Sequence, residues 1–129
     1  MTTEQKNESI ALFLGFELDP DKYEWSDNQF YNPPKWFGEL VNCDWNIESV
    51  DLSFDFSYEW QMVAIDWIEK NFNHKFMFSL WDSTKENDYI YKCTISIIEE
   101  HRAITSSKNN RKEAIFESLY WLSQNYKNY

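Results

Sequence analysis

Glycine and proline are scarce in this chain of 129 residues, which holds two of the first and three of the second. That scarcity argues against long disordered or loop-only regions. Gly15 and Gly38 stand apart and cannot build a phosphate-cradling glycine loop. Cysteine is equally sparse, and Cys43 and Cys93 have neither metal-ligand nor redox spacing. With no signal-peptide pattern, both are expected as free thiols in a reducing cytoplasm. No apolar run is long enough to cross a bilayer. Histidine appears only at positions 74 and 101. His74 follows a predicted helix end, where a cation meets carbonyls favourably. His101 follows Glu99 and Glu100, but no second histidine lies at ligand spacing. A Cys93–His101 pair is disfavoured as a nucleophile, because Cys93 falls on an apolar strand face, where thiols are usually inert. The chain therefore carries no catalytic motif, and no metal, cofactor or small-molecule ligand is expected.

Basic residues are missing from one half. Residues 1–60 carry 13 Asp/Glu against 3 Lys, whereas residues 61–129 carry 9 Asp/Glu against 9 Lys/Arg. The net charge of −10 thus sits entirely in the first half. Such a half repels nucleic acid and anionic membranes and attracts basic protein surfaces. Direct nucleic-acid binding would have to use Lys108, Arg111 and Lys112, which equally well solvate the start of a helix. Solubility alone is the plainer explanation of the net charge, though not of its segregation.

What the chain has in abundance is aromatic residues, at 19%. The excess over what a core requires suits an interface, where Tyr and Trp are favoured. A length of 129 residues fits one domain with one ordinary core.

The stretch from Ser57 to Asn71 organises the rest. Trp60, Val63, Ala64, Trp67 and Ile68 recur at helical spacing, with Ser57 as N-cap, Glu59 in the first turn and Lys70 near the end. Met62 and Ile65 lie outside that stripe and predict cover on a second side. Before it, residues 3–14 read as a helix with a Thr2–Gln5 capping box and a stop at Gly15. Residues 23–25 and 29–31 read as a hairpin around Ser26, Asp27 and Asn28. A short helix is possible from Lys35 to Val41, weakened by Gly38. Residues 49–56 alternate apolar and polar and read as a strand, although Asp44, Glu48, Asp51 and Asp55 also fit a helical acidic stripe.

After the central helix, residues 75–81 read as a strand and 82–88 as a polar loop. Residues 89–98 form the strongest strand, with Tyr91, Cys93, Ile95 and Ile97 on one face. A short strand at 102–105, a loop at 106–110 and a helix from Arg111 to Asn125, capped by Asn110, complete the chain. The expected fold is α+β, an antiparallel sheet packed with about three helices in a single domain.

The sharpest functional feature is the segment 16–59, with 11 Asp/Glu, 2 Lys and 11 aromatics. Carboxylates interleaved with Trp and Tyr imitate phosphates interleaved with bases, since alternate strand residues lie roughly 6.5–7 Å apart. The candidate partner-binding residues are Asp19, Asp21, Glu24, Asp27, Asp44, Glu48, Asp51 and Asp55, with Trp25, Tyr31, Trp36 and Trp45 as aromatic anchors. The expected partner is the Arg/Lys-lined groove of a nucleic-acid-handling protein, met under electrostatic steering. The alternative is that the aromatics are core and the acids are the wet faces of short strands.

Three stretches carry a resemblance. They are Ile10 to Gly15 closing the first helix, Leu52 to Glu69, and Lys112 to Trp121 in the last helix. Within the second, Ser57-Tyr-Glu-Trp60, Met62-Val63 and Ile68-Glu69 follow a Ser-Trp-Asp-Trp-Leu-Met-Pro-Val-Val-Glu-Lys-Ile-like pattern. It departs from that pattern at Tyr58, Gln61 and Ala64. Together these stretches resemble small, mostly uncharacterised phage and prophage proteins of the phage ABA sandwich type, common in Bacteroidetes. The resemblance covers about half the chain and leaves out the acidic segment. It implies a mobile-element origin and an α+β fold, and it carries over no catalytic residue. A counter-defence role in the host cytoplasm, inhibition of a CRISPR effector above all, is compatible with that origin by analogy. A phage housekeeping or virion-associated domain is the alternative.

Overall fold

The computed structural model describes residues 1–21, 23–43, 45–85 and 88–126; the side chains of 83–85, 88 and 89 are also left aside. Among the described residues the fold is α+β, with four helices and two three-stranded antiparallel sheets. Helix α1 spans Thr3–Phe13, and its capping box is formed: Thr2 Oγ1 accepts from the Gln5 N–H, and Gln5 Oε1 accepts from the Thr2 N–H. It ends where Gly15 adopts φ 98°, a conformation that costs glycine nothing and a β-carbon residue about 1 kcal/mol or more.

The small sheet joins β1 (Glu17–Leu18), β2 (Phe30–Asn32) and β3 (Ile47–Glu48), with β2 central. Leu18 pairs with Tyr31, and Tyr31 with Ile47. The expected hairpin across Ser26 is absent, because β2 takes its partners from 17–18 and 47–48. Residues 23–25 instead form a turn in which the Ser26 N–H donates to the Tyr23 carbonyl. Helix α2 (Lys35–Val41) follows Pro33 and Pro34. Gly38 belongs there, since a Cβ would collide with the Cys43 carbonyl oxygen.

The strand expected over 49–56 does not form. Ser49–Asp51 make a 3₁₀ turn, and residues 54–56 make a second turn ahead of Ser57. Among the described residues no strand pairs with this segment to take its amides. The buried Asn7 side chain takes their place, accepting from the Phe54 N–H at 2.9 Å and donating to Asp55 Oδ1 at 3.0 Å. The period-two burial survives for Leu52 and Phe54 without a sheet, while Val50 and Phe56 are exposed.

Helix α3 (Tyr58–Asn71) carries the expected Ser57 cap. Its buried line is Gln61, Ala64, Ile65 and Ile68, rotated from the expected stripe. Trp60, Val63 and Trp67 are half-buried. Trp60 and Trp67 pack against rings of α2, where Trp60 meets Phe37 and Trp67 stacks on Trp36 at 4.8 Å. The helix is thus covered on two sides.

The large sheet is a meander of β4 (Phe76–Lys85), β5 (Asp88–Ile97) and β6 (Arg102–Lys108). Both outer strands run longer than the sequence suggested. Polar residues of the expected loops at 82–88 and 106–110 continue the ladder as far as Lys85 on β4 and Lys108 on β6, with Asp82 opposite Tyr91 and Ser106 opposite Cys93. Residues 86 and 87 lie outside the described part. Cys93, Ile95 and Ile97 on the inner face meet α4 (Arg111–Asn125), whose Ala114, Ile115, Leu119 and Leu122 are buried. At the β4 edge, the Phe78 N–H donates to Glu69 Oε2 at 3.1 Å. The main core lies between this inner face and α1, α3 and α4.

Candidate acidic–aromatic interface

The small sheet and its loops position most of the acidic side chains. After β1 the chain is pinned by Asp19: its Oδ1 accepts from the Asp21 N–H at 3.0 Å, and its Oδ2 accepts from Asn46 Nδ2 at 3.2 Å. These donors, the Asp21 amide first, hold the Asp19 carboxyl below its ordinary range. The same Asn46 amide donates to the Tyr23 hydroxyl at 2.8 Å, tying the 19–25 loop to the entry of β3. Asp19 is therefore chiefly an internal acceptor. Glu48, at the end of β3, is held in a similar way. Its Oε2 accepts from Ser26 Oγ at 3.0 Å and from Asn28 Nδ2 at 2.6 Å, and its Oε1 has no hydrogen bond among the described residues.

These loops enclose a cleft of about 510 Å³ lined by Tyr23, Trp25, Phe30, Trp45, Trp60, Glu48 and Asp51, among others. Trp25 stands on its rim, 72% exposed, with its ring against Phe30 at 5.4 Å and Tyr23 at 5.6 Å. Trp45 is 64% exposed and also lines a neighbouring hollow of about 660 Å³ bounded by α2, so it forms a ridge between the two. Exposed Trp costs solvation without filling a core, and a cluster of it beside carboxylates has the composition of a binding surface.

The structure brings together Trp25, Trp45, Glu48 and Asp51, with Asp19 bonded into the adjoining loop. Asp21, Glu24 and Asp27 are exposed on the surrounding turns. Asp44 lies outside the described residues. Three sequence assignments need correction. Tyr31 is 3% exposed and cannot anchor a partner. It sits on the central strand beneath Glu8, and burial with that carboxylate pushes its hydroxyl up to about 12. Trp36 is half-buried and spends its face on Trp67, a contact that packs α2 on α3. Asp55 belongs to a different hollow, with Lys6 and Lys112, so Glu48, Asp51 and Asp55 do not form one acidic row. Two lining residues, Tyr23 and Trp60, were not singled out. Their signal was present as tyrosine and tryptophan flanking the acids, but Tyr23 comes from the loop before β2 and Trp60 from α3, and only the tertiary fold brings them to one cleft.

No family model, curated protein or solved structure matches the chain. The surface has to be read from its own chemistry. Among the described residues, no ion pair involves Asp19, Asp21, Glu24, Asp27, Glu48, Asp51 or Asp55. Between Lys35 and Lys70 the sequence holds no lysine or arginine. Among the described residues, the carboxylates around the cleft are therefore not neutralised by a paired cation.

Elsewhere, the acidic pair before His101 is engaged in structure. Glu99 pairs with Lys75, and Glu100 pairs with Arg102 and accepts from the Tyr126 hydroxyl. His101 is exposed in a left-handed turn beside them. Cys93 is fully buried, its thiol pushed up to about 11 by burial. Among the described residues no set of three His, Cys, Asp or Glu is placed to hold a metal. Among the same residues no helix is long and apolar enough to cross a membrane.

Proposed function

We propose that this chain is a non-catalytic binding protein whose acidic–aromatic face occupies the basic groove of a nucleic-acid-handling protein and keeps nucleic acid out. The observation that supports this reading is the cleft itself. Exposed Trp25 and Trp45 stand beside Glu48 and Asp51 on a surface without a neutralising cation among its described residues. Carboxylates in that setting attract arginine and lysine, and the rings supply the apolar contact that bases would make in the same groove. Solubility alone accounts for the carboxylates but not for exposed tryptophans between them. Inhibition of a host defence nuclease in the bacterial cytoplasm, a CRISPR effector foremost, extends this reading along the phage resemblance and rests on that resemblance.

The test is capture on immobilised protein from a bacterial lysate, at low and high salt and with and without nuclease treatment, for the native chain and for Glu48→Lys with Asp51→Lys. The expected result is one nucleic-acid enzyme retained after nuclease treatment, released by salt and missing from the charge-reversed variant. Addition of the pure protein should then inhibit that enzyme. Capture that survives charge reversal, or that depends on nucleic acid, overturns the reading.

A further inference from the structure

We infer that the cleft between Trp25 and Trp45 is a receptor for an arginine side chain on a basic protein partner. The inference rests on the reading of the acidic face as a protein-binding surface and names what that face recognises. Three properties of the cleft point to a guanidinium. First, its walls are aromatic: Tyr23, Trp25, Trp45 and Trp60 line it, and Tyr23 and Trp25 are braced on Phe30 at 4.7 and 5.4 Å. A planar, weakly hydrated cation stacks on such faces better than a compact ammonium does. Second, one carboxylate is already oriented. Ser26 and Asn28 fix Glu48 through Oε2, leaving Oε1 without a hydrogen bond among the described residues. A fixed acceptor loses little side-chain freedom when a charged donor arrives. Third, the charge is complementary. Asp51 adds a second carboxylate, and among the described residues no lysine or arginine lines the cleft. About 510 Å³ is ample for one long side chain and its guanidinium head.

The test compares two N-acetylated, C-amidated nonapeptides, all-arginine and all-lysine, by calorimetry and tryptophan fluorescence at low and high salt. The proteins are the native chain, Trp25→Ala, Trp45→Ala and Glu48→Gln. Both tryptophans are largely exposed, so their removal is expected to leave the fold intact, and an unchanged melting temperature is the control for each variant. The native chain is expected to bind the arginine peptide about tenfold more tightly than the lysine peptide, with fluorescence quenching. Each tryptophan variant should lose most of that preference while keeping salt-dependent binding of both peptides. Glu48→Gln should weaken the arginine peptide more than the lysine peptide. Equal affinity of the native chain for the two peptides, or an arginine preference that survives both tryptophan substitutions, overturns the arginine receptor and leaves the acidic face standing. Failure of both peptides to bind at low salt overturns the acidic face and the arginine receptor together.

Discussion

Single side chains do unusual amounts of backbone work in this molecule. Asn7 replaces a missing strand, with its carbonyl taking the Phe54 amide and its NH₂ reaching Asp55. Asn7→Ala strands a buried N–H, and the expected loss is about 1–3 kcal/mol in urea unfolding. Asn7→Asp keeps the acceptor, but it loses the donor and faces the Asp55 carboxylate, so it should also destabilise. Glu8 tests electrostatics on the same helix. Burial first, and then Glu4, raise its carboxyl above the ordinary value, against a bond from Tyr31 that lowers it. A raised carboxylate binds its proton more tightly when folded, so its contribution favours the fold at low pH and is lost as pH rises through the folded value. Glu8→Gln should therefore raise the melting temperature at neutral pH. The gain should shrink as pH falls through the glutamate range, which melts across a pH series would show. Asp19 has the opposite sign. Its carboxyl is depressed by the Asp21 amide and Asn46, so Asp19→Asn should cost stability at neutral pH and little below the aspartate range.

At the scale of elements, α2 gives the clearest prediction. Alanine is ordinarily the better helix former by about 1 kcal/mol, yet Gly38→Ala should destabilise, because the new methyl meets the Cys43 carbonyl. A lowered denaturant midpoint with an unchanged slope would show it. Legibility in the sequence followed the same divide between local and distant partners. The caps at Thr2, Ser57 and Asn110 were readable because each partner lies three residues away. The inner face of β5 was readable because Cys93, Ile95 and Ile97 keep period two against a buried layer. Residues 49–56 were not, since their alternation is satisfied by Asn7, more than forty positions distant, and no periodicity reports such a partner. The hairpin around Ser26 failed likewise: turn residues are present, but β2 has better partners at 17–18 and 47–48. In the site, exposed Trp25 and Trp45 beside Glu48 followed from composition. Tyr31 did not, because its burial comes from its place on the central strand, between Leu18 and Ile47, which sit thirteen and sixteen positions away.

For the whole molecule, charge and packing divide the labour. The acidic surface is carried by the small sheet and its loops, whereas ion pairs such as Arg111–Asp82 and Arg102–Glu100 sit on the large sheet and α4. Salt should accordingly weaken partner association far more than folding, since the Debye length shrinks from ~10 Å at 0.1 M to ~3 Å at 1 M and the core does not depend on it. The carboxylate of Glu69 has a further consequence at this scale. It occupies the Phe78 amide on an outer strand that is ten residues long. A free edge of that length is a template on which another molecule can add its own strand, and growth of that kind leads to fibres. Glu69 works as a stopper: an incoming strand must first expel a charged group from the position it needs. With Glu69→Ala, concentrated solutions should scatter light and bind thioflavin on standing, while the native chain stays clear.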